Sequence, residues 1–143
     1  MNEAAITKYI TDTFAGVEVL VASKEGGAPE IAWRDSFFYV GPDRKMPFAT
    51  IVTKDYGDFD CASNLNRPGV FRLNIGVSKD KFRSLFDAVE AKHDFAALDR
   101  LMPHPVHGPQ YWVCVLNPSA ETFEAVRPLL AEAYERAARK HKS

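Results

Sequence analysis

The sequence predicts an α+β protein: a single antiparallel sheet of about five strands covered by helices. Three observations carry that prediction. Runs rich in β-branched and aromatic residues recur at 17–22, 36–40, 48–53, 70–75 and 111–116, and the first three are joined by short turns, the pattern of an antiparallel meander. Apolar residues at helical spacing occupy the start, the middle and the end of the chain. The 143 residues, 46% hydrophobic and 26% charged, suit one globular domain, expected to span residues 1–143, with a core that needs no metal or disulfide staple.

The elements follow in order. Asn2 is the expected N-cap of a helix from Glu3 to Phe14, with Ile6, Tyr9, Ile10 and Phe14 on one face and Gly16 ending it. Strand 17–22 leads to the turn Lys24–Pro29, strand 36–40 to the turn Gly41–Arg44, and strand 48–53 to a long irregular stretch over 54–68. In strand 70–75, Phe71, Leu73 and Ile75 share one face, while Arg72 and Asn74 share the other. Ser78 caps a helix bearing Phe82, Leu85, Phe86 and Val89, and a helical turn over 94–102 is expected to bury Phe95, Leu98 and Leu101. The Pro-rich segment 102–109 must be extended, because each proline moves its predecessor out of the α region. After strand 111–116, Ser119 opens a helical region expected to break near Pro128 and to restart there with Leu129, Leu130, Ala133, Tyr134 and Ala137.

Charge and composition exclude several roles. With 18 Lys+Arg against 19 Asp+Glu the net charge is −1, which does not match a polyanion or an anionic membrane as a whole. The first 71 residues hold 7 basic and 10 acidic side chains and the remainder 11 and 9, so the second half is mildly basic. No apolar run approaches the roughly 18–20 residues that span a bilayer. The opening Met1-Asn2-Glu3-Ala4-Ala5 has no basic region followed by an apolar one, so cytoplasmic residence is expected and a membrane partner is not. Cys61 and Cys114 are too few and too far apart for a metal knuckle or a local redox pair, and Cys114 reads as a small buried apolar residue.

Three constellations carry chemistry. The 54–68 loop exceeds ordinary connection lengths and holds Asp55, Tyr56, Asp58, Asp60, Cys61, Asn64, Asn66 and Arg67. It lacks the glycine and distal Glu of a calcium loop, so its Asp and Asn side chains are expected to cap backbone groups while Tyr56 and Phe59 pack inward. His93, His104 and His107 with Asp94 form a second group whose spacing fits neither a zinc helix nor a finger, and no metal or cofactor is expected. Arg72 and Asn74, with Arg34, Arg44 and Lys45 on neighbouring segments, form the third: a polar sheet face able to hold an anion, with Trp33, Phe37, Tyr39 and Tyr56 as stacking surfaces.

Four runs carry a resemblance. Pro47–Thr53 and Ser63–Gly76, which contains Asn66-Arg67-Pro68-Gly69-Val70-Phe71-Arg72-Leu73-Asn74, resemble the bacterial domain-of-unknown-function family 6194, as do 95–105 and Trp112–Pro118. That resemblance covers nearly the whole chain and implies no established activity. More distantly, Lys45-Met46-Pro47-Phe48-Ala49, the late Trp-containing strand and Ala133-Tyr134 are similar to the MmcQ/YjbR type. This likeness implies a double-wing, frataxin-like sheet and nucleic-acid binding.

The leading functional expectation is a non-catalytic domain binding a small anionic ligand or a protein, with Asn64, Asn66, Arg67, Arg72 and Asn74 as ligand-binding residues. Nucleic acid is the partner suggested by the distant resemblance but not favoured by near-neutral charge. The enzyme alternative is hydrolase-like and sets His104 or His107 as general base with Asp60 or Asp94. The chain is expected to be a monomer, or a homodimer joined through strand edges or the terminal helix.

Overall fold

The computed structural model describes residues 1–41, 46–86 and 93–142. Helix α1 (Glu3–Thr13) precedes β1 (Val17–Val21), β2 (Ser36–Val40), β3 (Ala49–Val52) and β4 (Arg72–Gly76). A short α2 (Lys79–Leu85), β5 (Met102–Pro103), β6 (Trp112–Leu116) and a long α3 (Ala120–Lys142) complete the chain. The strands form one open antiparallel sheet in the order β1-β2-β3-β4-β6-β5. The architecture is α+β, as expected, with six strands rather than about five. The addition is β5, from the Pro-rich segment, which pairs Met102 with Cys114 and Pro103 with Val113. Proline is tolerated there because β5 is an edge strand and needs no donor on its outer side.

Alternation along the strands gives the sheet two different faces. Phe38, Ala49, Ile51, Leu73, Ile75, Val113 and Val115 point to one side, where α1 contributes Ile6 and Ile10 and α3 contributes Phe123, Val126 and Leu130. The other side carries Val52, Cys114, Leu116 and Met102, with Thr50, Arg72 and Asn74 between them. Asn2 caps α1 by accepting the Ala5 N–H at 2.8 Å, and Ser78 caps α2 by accepting the Lys81 N–H at 3.1 Å.

Three local expectations are corrected. Residues 94–102 form turns and bends, not a helical turn, and Leu98 is exposed. The Asp94 side chain takes the Ala96 N–H and its carbonyl the Ala97 N–H, while Asp99 adopts a left-handed φ of 60° and accepts from Ser119. These side-chain bonds compete with helix formation. The Pro-rich segment is extended only at β5; beyond His104 it turns and makes a 3₁₀ turn over Gly108–Gln110. Finally, α3 runs unbroken through Pro128. Phe123, Val126, Leu129, Leu130 and Ala133 are all buried on one continuous face, and at roughly 1.5–3 kcal/mol for a large apolar side chain their burial outweighs the ~3 kcal/mol cost of a helix-interior proline. Val89, Arg44, Lys45 and most of the Gly41–Arg44 turn lie outside the described residues.

Candidate functional site

The 54–68 loop lies across the sheet face opposite the helices, with Leu65 and Tyr56 packed on Val52, Met102, Cys114 and Leu116. Its polar side chains satisfy its own backbone. Asp55 accepts the Leu65 N–H at 2.7 Å, Asn66 accepts the Asp55 N–H at 3.1 Å, and Tyr56 N–H bonds the Asp60 carbonyl at 2.9 Å. Arg67 donates through Nε to the Asn64 carbonyl and through Nη2 to the carbonyls of Ser63 and Ala96, tying the loop to the 93–101 segment. Phe59, expected to pack inward, is instead 67% exposed and touches only the edge of the site through the His107 ring, 6.0 Å away.

Beneath the loop sits a buried polar cluster centred on Arg72. The guanidinium is fully buried and all five of its N–H groups face partners. Nη1 donates to Asp60 Oδ1 (3.0 Å) and Ser63 Oγ (3.0 Å), Nη2 to Asp60 Oδ2 (2.6 Å), and Nε to Asn74 Oδ1 (2.8 Å). The second Nη2 hydrogen faces His104 Nε2 at 3.1 Å. Asn74 in turn donates to Thr50 Oγ1 at 2.9 Å. Burial alone would raise the Asp60 pKa, but the bonds and charge of Arg72 outweigh it and hold the carboxyl below its usual range. His104 is pushed down to about 3, first by burial and then by the Arg72 charge. Donors face both of its ring nitrogens, since the Val106 and His107 amides point at Nδ1 from 3.0 and 2.9 Å. Burial and the adjacent guanidinium keep the ring neutral, and a neutral imidazole carries one N–H, so only one of the two nitrogens accepts a hydrogen bond.

A second buried acid, Asp35, anchors the start of the loop. It accepts the Thr53 N–H (2.8 Å) and hydroxyl (3.0 Å) and the Tyr56 hydroxyl. Burial raises its pKa despite those bonds, and raises that of Tyr56 as well. Sequence reasoning missed Asp35, because a single acid between Arg34 and Ser36 has no motif around it.

The sites read from the sequence are thus distributed as follows. Arg72 and Asn74 lie on the predicted face of β4, yet that face is covered by the loop, and the open polar surface expected there is absent because both side chains are spent within the chain. Asn66 and Arg67 are turned onto loop backbone, and Asn64 is exposed with a left-handed φ of 51°. Of the histidines, His104 and His107 come together, ring centroids 4.8 Å apart, while His93 packs beside Phe86 and Phe95. Asp60 and His104 do converge, but Arg72 stands between them and both are buried. Asp94 is exposed and Cys61 is exposed, whereas burial pushes the Cys114 thiol up to about 12. Among the described residues no group of three or more His, Cys, Asp or Glu is placed to hold a metal ion, and no helix is long and apolar enough to cross a membrane.

Open concave surface lies elsewhere. A cleft of about 620 Å³ opens at the end of the sheet where Gly76, Val77, Trp112 and Phe48 meet the C-terminal half of α3. Tyr39, Tyr111 and Trp112 line it from the sheet side, and Arg136 and Lys140, one helical turn apart, line it from α3. Among the described residues that line it, none is acidic. A second cleft of about 590 Å³ is lined by Glu3, Glu30, Trp33, Arg34, Thr53 and Lys54, in which two acids balance two bases.

Fold and site together define a six-stranded α+β protein with a closed polar interior on one sheet face and a cationic, aromatic cleft at one end. The chain belongs to a family of unknown function, DUF6194, whose family model matches residues 1–143. No curated protein and no solved structure matches it.

Proposed function

We propose that the protein is a non-catalytic binding domain for a small organic anion, held in the cleft between the sheet end and α3. The observation that carries this reading is the lining of that cleft: Arg136 and Lys140 at i,i+4, aromatic and aliphatic walls, and no carboxylate among the described residues that line it. Ligand sites are typically concave, mostly apolar, and furnished with a few convergent polar groups, at volumes of roughly 300–1,000 Å³. Asn64, Asn66, Arg67, Arg72 and Asn74 are not among the described residues that line this cleft; Arg72 and Asn74 brace β4, whose last residue, Gly76, does line it. The enzyme alternative is weaker, because His104 is buried against the Arg72 guanidinium and no imidazole is among the described residues lining either cleft.

The test is a titration followed by amide and indole resonances, using benzoate and adenosine monophosphate as probes. Shifts confined to Trp112, Tyr39 and the 133–140 turns are expected, weakening with added salt because the charges are partly solvated. Arg136→Ala combined with Lys140→Ala should lower affinity at least ten-fold. Shifts that ignore this pair would overturn the reading. The nucleic-acid role, with its double-wing, MmcQ/YjbR-like architecture, competes on the basis of Arg136, Arg139 and Lys140 on α3. It requires duplex or single-stranded DNA to bind with a steep loss of affinity on raising salt.

A further inference from the structure

We propose that the second cleft, lined by Glu3, Glu30, Trp33, Arg34, Thr53 and Lys54, binds a free α-amino acid. The ligand's carboxylate meets Arg34, its ammonium meets Glu3 and Glu30, and its side chain lies against Trp33. This site is separate from the anion cleft and stands or falls independently of it. It forms where the first turn of α1, the 3₁₀ turn Glu30–Ala32 and the residues just past β3 come together. Two acids and two bases border one concavity of about 590 Å³, within the roughly 300–1,000 Å³ of ordinary ligand sites. The Arg34 guanidinium and the Glu3 and Glu30 carboxylates make no hydrogen bond or ion pair among the described residues, so charges of both signs face the cleft uncommitted. The Lys54 ammonium donates to the Trp33 carbonyl, which fixes a second cation in the wall and leaves it further donors. A simple anion placed here meets two carboxylates, and a simple amine meets two cations. A zwitterion matches both signs.

The backbone presents Arg34 to the cleft at the expense of local strain. Its φ is 75°, in the left-handed region. Its amide donates to the Ala22 carbonyl, and the Ala22 amide donates to the Asp35 carbonyl, both at 2.9 Å. Arg34 and Asp35 together therefore oppose one residue of the neighbouring segment, a β-bulge whose left-handed first position is ordinarily glycine. The bulge buries Asp35 and leaves Arg34 exposed at the cleft. A long cation at a glycine position is not what stability alone selects. On the acidic side, burial raises the Glu3 pKa and the negative charge of Asp35 raises it further, and an ammonium beside Glu3 offsets both. The Trp33 indole Nε1 donates to the Ala28 carbonyl at 3.0 Å, which anchors a half-buried ring in the cleft wall.

The probes are L-phenylalanine, 3-phenylpropionate, which lacks the ammonium, and 2-phenylethylamine, which lacks the carboxylate. Binding to the intact chain is read at the Trp33 indole N–H resonance, assigned through Trp33→Phe, so an anion taken by the other cleft does not enter the comparison. We expect L-phenylalanine to shift that resonance and to bind at least about ten-fold more tightly than either analogue. Glu3→Gln combined with Glu30→Gln should erase the preference over 3-phenylpropionate while keeping the preference over 2-phenylethylamine. Arg34→Gly should weaken L-phenylalanine binding by roughly ten-fold or more and at the same time raise Tm, because glycine relieves the left-handed backbone. Either analogue matching L-phenylalanine at the Trp33 resonance would overturn the proposal, as would no shift from L-phenylalanine at millimolar concentration. Because the three probes are compared on the unaltered chain, the comparison decides the matter even if a variant does not fold.

Discussion

Taking a guanidinium out of water is unfavourable by several kcal/mol, and only complete hydrogen bonding with an opposite charge offsets it. Arg72 comes close to that condition: a bidentate Asp60, Ser63 and Asn74 accept four of its N–H groups, and the fifth faces His104 Nε2. Arg72→Met should therefore destabilise the fold by about 3–5 kcal/mol, because Asp60 is left buried and unpaired. Adding Asp60→Asn should recover part of that loss, which denaturant unfolding of the single and double variants will show. Arg72→Lys should not rescue, since an ammonium offers three donors where at least four are used. His104 supplies a pH signature. Its folded pKa of about 3 lies below the ordinary 6.5, so between these values the unfolded chain binds more protons and stability falls on acidification. The slope should reach up to ~1.4 kcal/mol per pH unit as pH drops from 6.5, and Asp60 adds a further loss as pH falls toward its lowered folded pKa. Unfolding midpoints at pH 7, 6 and 5 check the first part, and His104→Phe should flatten the slope between pH 6 and 5. Sequence alone placed Arg72 and Asn74 on the correct face of β4 by alternation. It did not show that the face was closed, because which residue covers it depends on Asp60 and Ser63 folding back from 9–12 positions away.

Among the elements, α3 shows most clearly how packing overrides a local rule. Pro128 removes one backbone donor and crowds the preceding turn, and from the sequence this predicted two helices. The helix continues because the residues on both sides of Pro128 bury the same face, and Arg127 lies over Tyr9 with its guanidinium carbon 4.6 Å from the ring centroid. Local propensity was legible; the tertiary face that outweighs it was not. Pro128→Ala should therefore stabilise the protein. Restoring the backbone bond and relieving the crowding offsets a proline penalty of about 3 kcal/mol, part of which the native helix has already absorbed. The unfolded chain gains back roughly 0.4–1 kcal/mol of freedom when proline is removed. A net gain of about 1 kcal/mol is expected, seen as a Tm increase of roughly 2–5 °C for a chain of this size. The caps were the most legible features of all, since Asn2 and Ser78 act through side-chain oxygens three residues from their partners.

At the scale of the whole molecule the sheet is covered twice: by α1 and α3 on one face, and by a loop without regular structure on the other. The first cover was legible from the helical spacing of Ile6, Ile10, Phe123 and Leu130. The second was visible only as an unusually long connection, because loops carry no periodicity to say where they lie. What makes it a layer rather than an excursion is its anchoring. Leu65 is 1% exposed, Arg67 bridges to the Ala96 carbonyl, and Asp60 and Ser63 hold the buried Arg72. Surface loops ordinarily exchange their amide hydrogens through local openings of nearly zero free energy, whereas core strands exchange only on global opening. The amides of Tyr56 and Leu65, bonded within the loop and packed over β3 and β6, should exchange at rates close to those of Leu73 and Val115. Arg67→Ala removes three bonds to backbone carbonyls but leaves the Arg72 cluster intact. It should accelerate exchange across 93–97 and at Leu65 by at least ten-fold while leaving the β4 and β6 amides unchanged. If the β4 amides loosen in step with the loop, the two layers open as one cooperative unit. The cleft at the sheet end would then be coupled to the loop through β4, in which Arg72 and Gly76 stand four residues apart.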